Sequence, residues 1–387
     1  EEVIIHLPEN VKIIGLSATV SNVEDFSEWI ESVRDETTLV VSEKRPVPLE
    51  QHVLVQADDH TEPELIDLYR RDANGEQTVK LNAQLVNRLD QLDRQAARRR
   101  GEERPDRRRL KGKGGRWNER PYKAERHTPR RWAVVDELNF LDMLPGIYFI
   151  FSRNGCDQAV DQCINAGLEL TTSDEVRRIR RIVDEMVEGQ LSQEDLKALH
   201  FSQFRFALEE GFAPHHAGMV ALFRQIVERL FEEGLVKMVF ATETLALGIN
   251  MPARCVVVEK LEKFDGTGHV GLTPGEFTQL TGRAGRRGID TIGHAVVVDH
   301  HGFVPATAAA LSSKRVYPLH SSFKPTFNMA VNLLNTSDYE TARVTLDHSF
   351  AQWEANESAW QLEAQMETLR KALEGYEQAF QCEFGDF

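Results

Sequence analysis

The most distinctive candidate for chemistry is a run in which glycine alternates with arginine, from Gln279 to Gly288. A capping-box pattern at residues 273–276, with proline at the first helical position, predicts that a helix begins just before this run. On that helix Gln279, Arg283 and Arg286 would share one face, because their spacing is i, i+4, i+7. Two guanidinium groups with glycines beside them suit a triphosphate whose charge grows during phosphoryl transfer. The alternative is a solvated basic face near a helix end, which the helix dipole would also favour.

A second candidate follows an apolar segment, at residues 236–241, that is typical of a buried strand. Ligand sites in open α/β sheets lie at the carboxyl ends of strands, which is where Thr242 and Thr244 would stand. Their hydroxyl and N–H groups suit contact with a phosphate backbone, a mode of binding that reads no sequence. Further along, Gly248 lets the chain turn, and the amide of Asn250 can bond a sugar hydroxyl. For Thr242 alone, a helix N-cap followed by a loop is the simpler interpretation.

Ser17, Ala18 and Thr19 also follow an apolar segment, at residues 11–16, that is predicted to be a strand. Small hydroxyl residues at such a position could link a phosphate site to a neighbouring domain. Taken alone this signal is weak, because serine and threonine are also the common residues at helix N-caps.

Two histidine pairs raise the question of a metal site, at residues 215–216 and 300–301. Adjacent side chains diverge, and no third ligand stands nearby at a useful spacing, so neither pair predicts a metal centre. For His216, with Gly218 two residues later, a loop contact to nucleic acid and a buried structural histidine are both open. No metal site is predicted for the chain.

The order of the predicted elements indicates an α/β fold. Apolar runs typical of strands alternate with helical patterns, and this alternation favours a right-handed parallel sheet. The near-continuous apolar character of the runs fits strands that are covered on both faces. The predicted strands are at residues 11–16, 38–42, 146–152, 236–241, 255–259 and 293–298.

Charge is divided unevenly along the chain. The net charge is −15, yet residues 94–131 hold 16 Lys+Arg and 5 Asp+Glu. A basic island on an acidic body is an asymmetry that accompanies nucleic-acid binding, although a solvated loop is the simpler explanation. The segment contains almost no aliphatic residues, so it cannot bury enough apolar surface to offset the entropy of ordering it. We therefore predict a mobile insertion.

Composition excludes several classes of protein. Apolar residues make up 41% and charged residues 28%, and no apolar run approaches the roughly 18 residues that span a bilayer, so no membrane contact is predicted. The 4 cysteines form no CxxC pair and are typical of a reducing compartment, which predicts a cytoplasmic protein. The chain opens with Glu1 and Glu2, without an initiator Met or a leader, and we expect it to be part of a longer polypeptide.

Taken in order, these segments resemble the later motifs of superfamily-two helicases. The Ser-Ala-Thr triplet resembles motif III, the segment Phe149–Arg153 motif IV, Thr242–Pro252 motif V and Gln279–Gly288 motif VI. Within that superfamily, the runs HHAGM, FATETLALGINMPAR, QLTGRAGRRGID and SSFKPTFNMAVNLL resemble the superkiller-like DExH RNA helicases, which work with RNA-degrading machinery. The acidic body and the arginine-rich insertion are similar to those of the actinobacterial HelY-like branch.

The resemblance implies a RecA-like parallel sheet and a division of the chain into five segments. Residues 1–45 would end a first RecA-like domain, and 46–131 would be a linker with the basic, disordered insertion. Residues 132–302 would form the second RecA-like domain. The remainder would be a winged-helix-like domain at 303–352 and the start of a helical arch or ratchet region at 353–387.

The resemblance also implies roles at the nucleotide. Arg283 and Arg286 would be arginine fingers on the γ-phosphate of ATP, which makes them the candidate catalytic residues, and Gln279 would lie at the nucleotide interface. Gly248 and Asn250 would touch the nucleotide, with Asn250 near the ribose.

At the nucleic acid, the resemblance implies a second set of contacts and a coupling element. Ser17, Ala18 and Thr19 would couple the nucleotide site to the neighbouring domain. A strand-separating β-hairpin would lie at residues 262–270. The residues implied to contact RNA are Ser152, Arg153, His216, Gly218, Thr242 and Thr244.

The implied function is that of the C-terminal portion of an ATP-dependent RNA helicase, acting as a monomer in RNA processing or decay. The family's phosphate loop and DExH box would precede motif III, and no GxxxxGK[ST] run occurs in this chain. Most ligands of ATP and Mg²⁺ would then come from upstream, and we expect this polypeptide alone not to hydrolyse ATP. Two alternatives stay open, a DNA-repair-type helicase of the same superfamily and a non-catalytic nucleic-acid-binding module.

Overall fold

The computed structural model of the chain describes residues 1–8, 10–16, 20–42, 45–99, 126–246, 251–264, 266–313, 318–382 and 385–386. The chain divides into two compact units, and each is described by itself. One unit combines Glu1–Glu43 with Val316–Phe387, and the other is Lys44–Arg315. No helix in the described ranges is long and apolar enough to cross a membrane.

The elements are numbered along the chain. The helices are α1 (Glu2–His6), α2 (Val23–Arg34), α3 (Ala83–Arg99), α4 (Arg131–Phe140), α5 (Arg153–Asn165), α6 (Ser173–Val187), α7 (Gln193–Ala198), α8 (Phe201–Glu209), α9 (Ala221–Glu232), α10 (Pro274–Thr281), α11 (Pro305–Ser312), α12 (Phe327–Thr336), α13 (Tyr339–Asp347) and α14 (Phe350–Phe380). The strands are β1 (Leu49–Val55), β2 (Glu64–Asp67), β3 (Tyr69–Arg71), β4 (Gln77–Leu81), β5 (Gly146–Phe149), β6 (Phe212–His215), β7 (Met238–Ala241), β8 (Cys255–Val258), β9 (Glu262–Phe264), β10 (His269–Gly271), β11 (Gly293–Val298), β12 (Gln381–Cys382) and β13 (Gly385–Asp386). A 3₁₀ turn occupies Glu243–Ala246.

The larger unit is built on a central sheet whose strand order is β2-β1-β11-β8-β5-β7-β6. Every neighbouring pair in it is parallel except β1 with β2. Consecutive strands that run in the same direction need helical crossovers, and these cover both faces of the sheet. This arrangement confirms the predicted α/β, RecA-like fold class.

Alternate residues of the central strands enter two apolar layers. On β8, Val256 and Val258 pack into the layer that contains residues of α3, α6, α9 and α10. Cys255 and Val257, on the opposite face, pack with residues of α4 and α5. Because both faces are covered, these strands read as continuous apolar runs in the sequence, which is why they were recognisable from it.

The smaller unit is helical and is centred on Trp29 of α2, which is fully buried. The indole ring of Trp29 packs against the rings of Phe26 and Phe350, and its Nε1–H donates to the His348 carbonyl at 2.9 Å. The strands predicted at residues 11–16 and 38–42 were wrong, because neither segment pairs with another described segment. Apolar side chains in them, such as Ile14 and Val40, are exposed.

The assignment of residues 49–99 to a linker was also wrong. β1 pairs in parallel with β11 over its length, from Leu49 opposite Gly293 to Leu54 opposite Val298. Further along, α3 buries the leucines on its inner face against the same core. The sequence pattern obscured β1 because two prolines precede it and polar residues interrupt its apolar ones. The central part of the predicted insertion, residues 100–125, lies outside the described residues.

The point where the chain returns from this insertion is fixed by a buried ion pair. The guanidinium of Arg126 donates to both carboxylate oxygens of Asp299, with Nε–Oδ2 at 2.8 Å and Nη2–Oδ1 at 3.0 Å. It also donates to Asp93 and to the Phe303 carbonyl, each at 2.8 Å. The Asp299 side chain has no exposed surface, and burial raises the pKa of Asp299 although Arg126 opposes the shift. Asp299 directly follows β11, so the pair ties the end of the insertion to the sheet.

We predict that Arg126→Met lowers the free energy of unfolding by about 3–5 kcal/mol, because it leaves a buried carboxylate without its partner. The loss should be larger at pH 8 than at pH 5. An unpaired Asp299 has its folded-state pKa raised further, so the destabilisation appears as pH rises through that value and the buried charge forms. Urea denaturation at both pH values measures it.

Arg130→Met is the matched control. Arg130 pairs with Asp59 at 2.6 Å on the surface, where solvent screens the interaction, so little change is expected. Equal losses in the two variants, or a loss in Arg126→Met that does not depend on pH, would contradict the role given to the buried pair.

Candidate nucleic-acid and nucleotide site

The residues predicted to contact nucleic acid lie after the carboxyl ends of three neighbouring strands. Ser152 and Arg153 follow β5, His216 and Gly218 follow β6, and Thr242 follows β7. These strands are adjacent and parallel, so their carboxyl ends meet at one edge of the sheet. The sheet therefore brings together residues that are up to 90 positions apart in the chain.

At the end of β5, Ser152 caps helix α5. Its hydroxyl accepts a hydrogen bond from the Gly155 N–H at 3.1 Å, and this bond fixes where the helix begins. Arg153 is the first helical residue, and both side chains are exposed. A cationic side chain beside the backbone N–H groups of a helix N-terminus can bind a phosphate group.

His216, which follows β6, forms a hydrogen bond through each of its two ring nitrogens. The Gly218 N–H donates to Nδ1 at 3.2 Å, so Nε2 carries the proton and donates to Asp157 Oδ1 at 3.1 Å. His216 is buried, which agrees with the structural alternative for this residue. Gly218 is exposed, and a Cβ there would lie 3.1 Å from His216 Nδ1 and 3.4 Å from Arg153 Cδ. His216 thus shapes the loop that presents Gly218 beside Arg153.

After β7, the chain turns at once. The hydroxyl groups of Thr242 and Thr244 lie 2.9 Å apart, and the Thr242 N–H donates to the His215 carbonyl at 3.3 Å. Thr242 is buried and Thr244 is exposed. The helix N-cap interpretation for Thr242 is partly right, since a short 3₁₀ turn follows it. The hydroxyl pair stands at the same sheet edge as Arg153.

The predicted shared helical face of Gln279, Arg283 and Arg286 was wrong. Helix α10 ends at Thr281, so only Gln279 of the three belongs to it, and its side chain is exposed. The C-cap of the helix is Gly282, and further on Gly285 has a φ of 90°, a conformation that L side chains rarely adopt, so the helix cannot continue to Arg286. Both arginines lie in the loop between α10 and β11.

This loop sits at the opposite edge of the sheet, where the strands begin. Ala253, just before β8, forms a parallel bridge with Ala284. The Ala253 N–H donates to the Arg283 carbonyl at 2.9 Å, and the Gly285 N–H donates to the Ala253 carbonyl at 2.7 Å. The segment from Thr242 to Ala253 therefore begins at one edge of the sheet and ends at the other, hydrogen-bonded to the arginine loop.

The two arginines differ in their surroundings. Arg286 is bound by Asp290, with Nε–Oδ2 at 2.8 Å and Nη2–Oδ1 at 2.7 Å, and this contact raises the pKa of Arg286 and lowers that of Asp290. Arg283 is half-buried, and burial lowers its pKa from the ordinary value. Both remain charged at neutral pH, because the ordinary pKa of arginine lies far above 7.

Two further residues at the site were not predicted from the sequence. Lys263, on β9, places its Nζ 2.7 Å from a carboxylate oxygen of Glu243 and 2.7 Å from one of Glu276. It joins the β9–β10 hairpin to the threonine turn and to the start of α10, and these contacts raise its pKa, that with Glu243 most. Asp290 is the other, and its i+4 spacing from Arg286 was the available signal. The remaining predicted residues, Ser17, Ala18, Thr19, Gly248 and Asn250, lie outside the described residues.

Comparison with known proteins identifies relatives of this chain. Residues 178–288 match the family described as helicase conserved C-terminal domain. The chain is 48% identical over 359 residues to the probable helicase HelY of Mycobacterium tuberculosis, an alignment that covers 92% of this chain and 38% of HelY. It is 36% identical to the DExH-box ATP-dependent RNA helicase DExH15 of Arabidopsis thaliana, over 86% of the chain and 28% of that protein. It is 33% identical to human superkiller complex protein 2, over 98% of the chain and 29% of that protein.

The parallel sheet with these two edges is the C-terminal RecA-like domain of a helicase. More particularly, the chain belongs to the superkiller-like DExH branch of superfamily two, as the resemblance of its motifs implied. It spans between about a quarter and two fifths of the length of these relatives.

The backbone contact at Gly285 generates a prediction. A Cβ on Gly285 would lie 2.7 Å from Val47 Cγ1, in addition to the strain of the positive φ. Gly288 has a similar φ of 77°, but a Cβ added there would have no heavy atom within 4 Å. Gly288→Ala should cost about 1–3 kcal/mol from backbone strain alone, and Gly285→Ala should cost clearly more. Urea unfolding of the two variants measures the difference, and equal losses would show that the close approach to Val47 is relieved without cost.

Proposed function

We propose that the chain is the C-terminal portion of an ATP-dependent RNA helicase, in which ATP hydrolysis drives RNA unwinding in RNA processing or decay. One observation carries the proposal. The segment that starts at Thr242 among the candidate nucleic-acid contacts ends at Ala253, bonded to the loop of Arg283 and Arg286. A displacement of the arginine loop would therefore be transmitted along one stretch of chain to the residues that hold nucleic acid.

At the carboxyl-terminal edge, the exposed Arg153, Thr244 and Gly218 would hold the phosphate backbone of one strand. The chemistry is independent of sequence, because hydroxyl, N–H and guanidinium groups all donate to phosphate oxygens. Buried His216 would act indirectly by keeping the Gly218 loop in place.

At the amino-terminal edge, Arg283 and Arg286 fit the negative charge of a triphosphate, and Gln279 is exposed beside them. Gly248 and Asn250 would complete the contacts to the nucleotide. We propose that Mg²⁺ is held by the first RecA-like domain of the helicase, to which the resemblance assigns the phosphate loop and the DExH box. Bound ATP supplies the phosphoanhydride bond, and the arginines of this chain stabilise the charge that develops on the transferred phosphoryl group.

The hairpin of β9 and β10 is proposed to separate strands. Phe264 is exposed on it, and Lys263 anchors its base to Glu243 and Glu276. Since Glu243 lies between the two threonines and Glu276 lies in the first turn of α10, this ammonium group ties the hairpin to the threonine turn and to the start of the helix that precedes the arginine loop.

The substrate and partners follow from the relatives. RNA is favoured over DNA because relatives named as RNA helicases align along most of the chain. We propose that the protein acts in the cytoplasm as a monomer and that it interacts with RNA-degradation machinery. A DNA helicase is the alternative, and unwinding of matched RNA and DNA duplexes by the full-length protein distinguishes the two.

We predict that Arg283→Ala or Arg286→Ala in the full-length protein lowers kcat for ATP hydrolysis on the order of 10³-fold, as loss of an arginine finger does, while nucleotide affinity changes less. RNA-stimulated ATPase assays and nucleotide titration measure the two quantities. Arg287→Ala is the matched control, because that side chain is exposed and belongs to the same loop. Turnover within a factor of ten of wild type in both test variants would contradict the assignment.

The basic insertion generates a second prediction. Three arginines at the end of the island already form ion pairs, Arg126 with Asp299, Arg130 with Asp59 and Arg131 with Glu259. We therefore test residues 101–125, which hold 9 Lys+Arg, for contact with phosphates. Each phosphate neutralised on a single strand contributes about −0.7 to the slope of log affinity against log salt.

Replacing 101–125 by a Gly/Ser linker of equal length should reduce that slope by about 1–3 units and weaken binding similarly for all RNA sequences. Changing only its basic residues to Gln is the matched control and should give the same reduction. Titrations at several salt concentrations test this. An unchanged slope would leave a solvated loop, or one that docks a protein, as the explanation.

A further inference from the structure

A group of potential metal ligands lies on β1 and β11, away from the nucleic-acid contacts. Glu50, His52 and His294 each offer one ligand atom, and these atoms all lie within 4.8 Å of one another. In the sheet register Glu50 stands opposite His294, and His52 is two residues further along the same face. The sheet thus creates a cluster from residues more than 240 positions apart.

The ring nitrogens face each other. His52 Nε2 lies 3.1 Å from His294 Nδ1 and 3.8 Å from Glu50 Oε2. A metal with bonds of about 2.0–2.1 Å to nitrogen would span the two imidazoles at an angle of about 100°, close to tetrahedral, and the same ion is within reach of the carboxylate. One cation therefore fits among the three atoms after small side-chain movements.

The tautomer of His52 favours the same arrangement. Its Nδ1 lies 2.9 Å from Asp67 Oδ1, and a neutral ring in that contact carries its proton on Nδ1. The lone pair of Nε2 then points at His294. A carboxylate that orients a histidine through its other nitrogen is the usual support of a metal-bound imidazole.

A second layer of contacts holds the carboxylates. The guanidinium of Arg71 donates to both oxygens of Glu50, at 2.6 and 2.9 Å, and to both oxygens of Asp67, at 2.6 and 3.1 Å. Gln77 also donates to Asp67 Oδ1 at 3.1 Å. His52 is buried, and the carboxylate of Glu50 is largely so. The candidate ligands are therefore fixed before a metal arrives, which lowers the cost of ordering them.

We propose that Glu50, His52 and His294 form a binding site for a divalent transition metal of the zinc class. Two imidazole nitrogens and one carboxylate oxygen are donors that zinc accepts, whereas Mg²⁺ and Ca²⁺ prefer oxygen ligands. Three protein ligands leave a fourth position for water. The site lies on the amino-terminal part of β1 and β11 and is independent of the helicase proposal.

Titration of the chelator-treated chain with Zn²⁺ alone, followed by calorimetry and thermal unfolding, tests the site. We expect one equivalent to bind and to raise the unfolding temperature. His294→Gln and His52→Gln should abolish that binding, and Asp67→Asn should weaken it by about 10–100-fold. His269→Gln, an exposed histidine in the same unit, is the matched control and should bind as wild type does.

A measurement on the unmodified chain guards against variants that fold poorly. Co²⁺ bound at this site should show the strong visible absorption of a four- or five-coordinate ion rather than the weak spectrum of the hydrated ion, and Zn²⁺ should displace it. Absence of stoichiometric binding would overturn the proposal. So would binding that survives when His52 and His294 are both replaced by Gln. Either result would leave the two rings as a hydrogen-bonded pair.

Discussion

The common direction of the central strands is the constraint on which the rest of the larger unit depends. Because β1, β11, β8, β5, β7 and β6 are parallel, one edge of the sheet collects all their carboxyl ends and the other collects their amino ends. Every connection between strands must therefore cross from the first edge to the second. The segment after β7 and helix α10 both make this crossing, so residues near Thr242 and Lys263 are physically continuous with residues near Arg283. The positions of the two candidate sites, at the two edges of the sheet, follow from strand direction.

The second edge is held by close approach of backbone to backbone. A Cβ on Gly293 would lie 2.6 Å from the Gly285 nitrogen, so β11 begins directly against the arginine loop. Arg45 adds a clamp from the other side, donating to the Ala284 carbonyl at 2.5 Å and to the Val47 carbonyl at 2.8 Å. At Gly285 glycine is required both for space and for the positive φ. Of the glycines in this run, Gly285 meets the Val47 side chain at this contact, whereas Gly288 has nothing within 4 Å.

A strand or helix end could be predicted where its own residues determined it, and was missed where residues distant in the sequence determined it. Strands β5, β7, β8 and β11 were found because burial on both faces requires apolar residues at every position. β1 was missed because Glu50 and His52 are satisfied by partners on β2, β3 and β11, a tertiary effect that no local pattern carries. Helix α10 was given the right start and the wrong end. Its start is set by a local capping box, whereas beyond the C-cap at Gly282 the chain leaves the helix and Ala284 pairs with Ala253, a tertiary contact that no local pattern carries.

The candidate site shows the same division between local and tertiary information. Residue type and position indicated Arg283 and Thr242 as candidates. An arginine among glycines, and a threonine directly after a buried strand, are both suited to binding phosphate. Lys263 gave no such signal, since a lysine in a polar hairpin is ordinarily a solvated residue. Its importance comes from two carboxylates, Glu243 and Glu276, that lie 20 residues before it and 13 after it and that only the fold brings to one ammonium group. The candidate ligand-contacting groups could therefore be identified from the sequence, whereas the lysine that connects them was evident only from the fold.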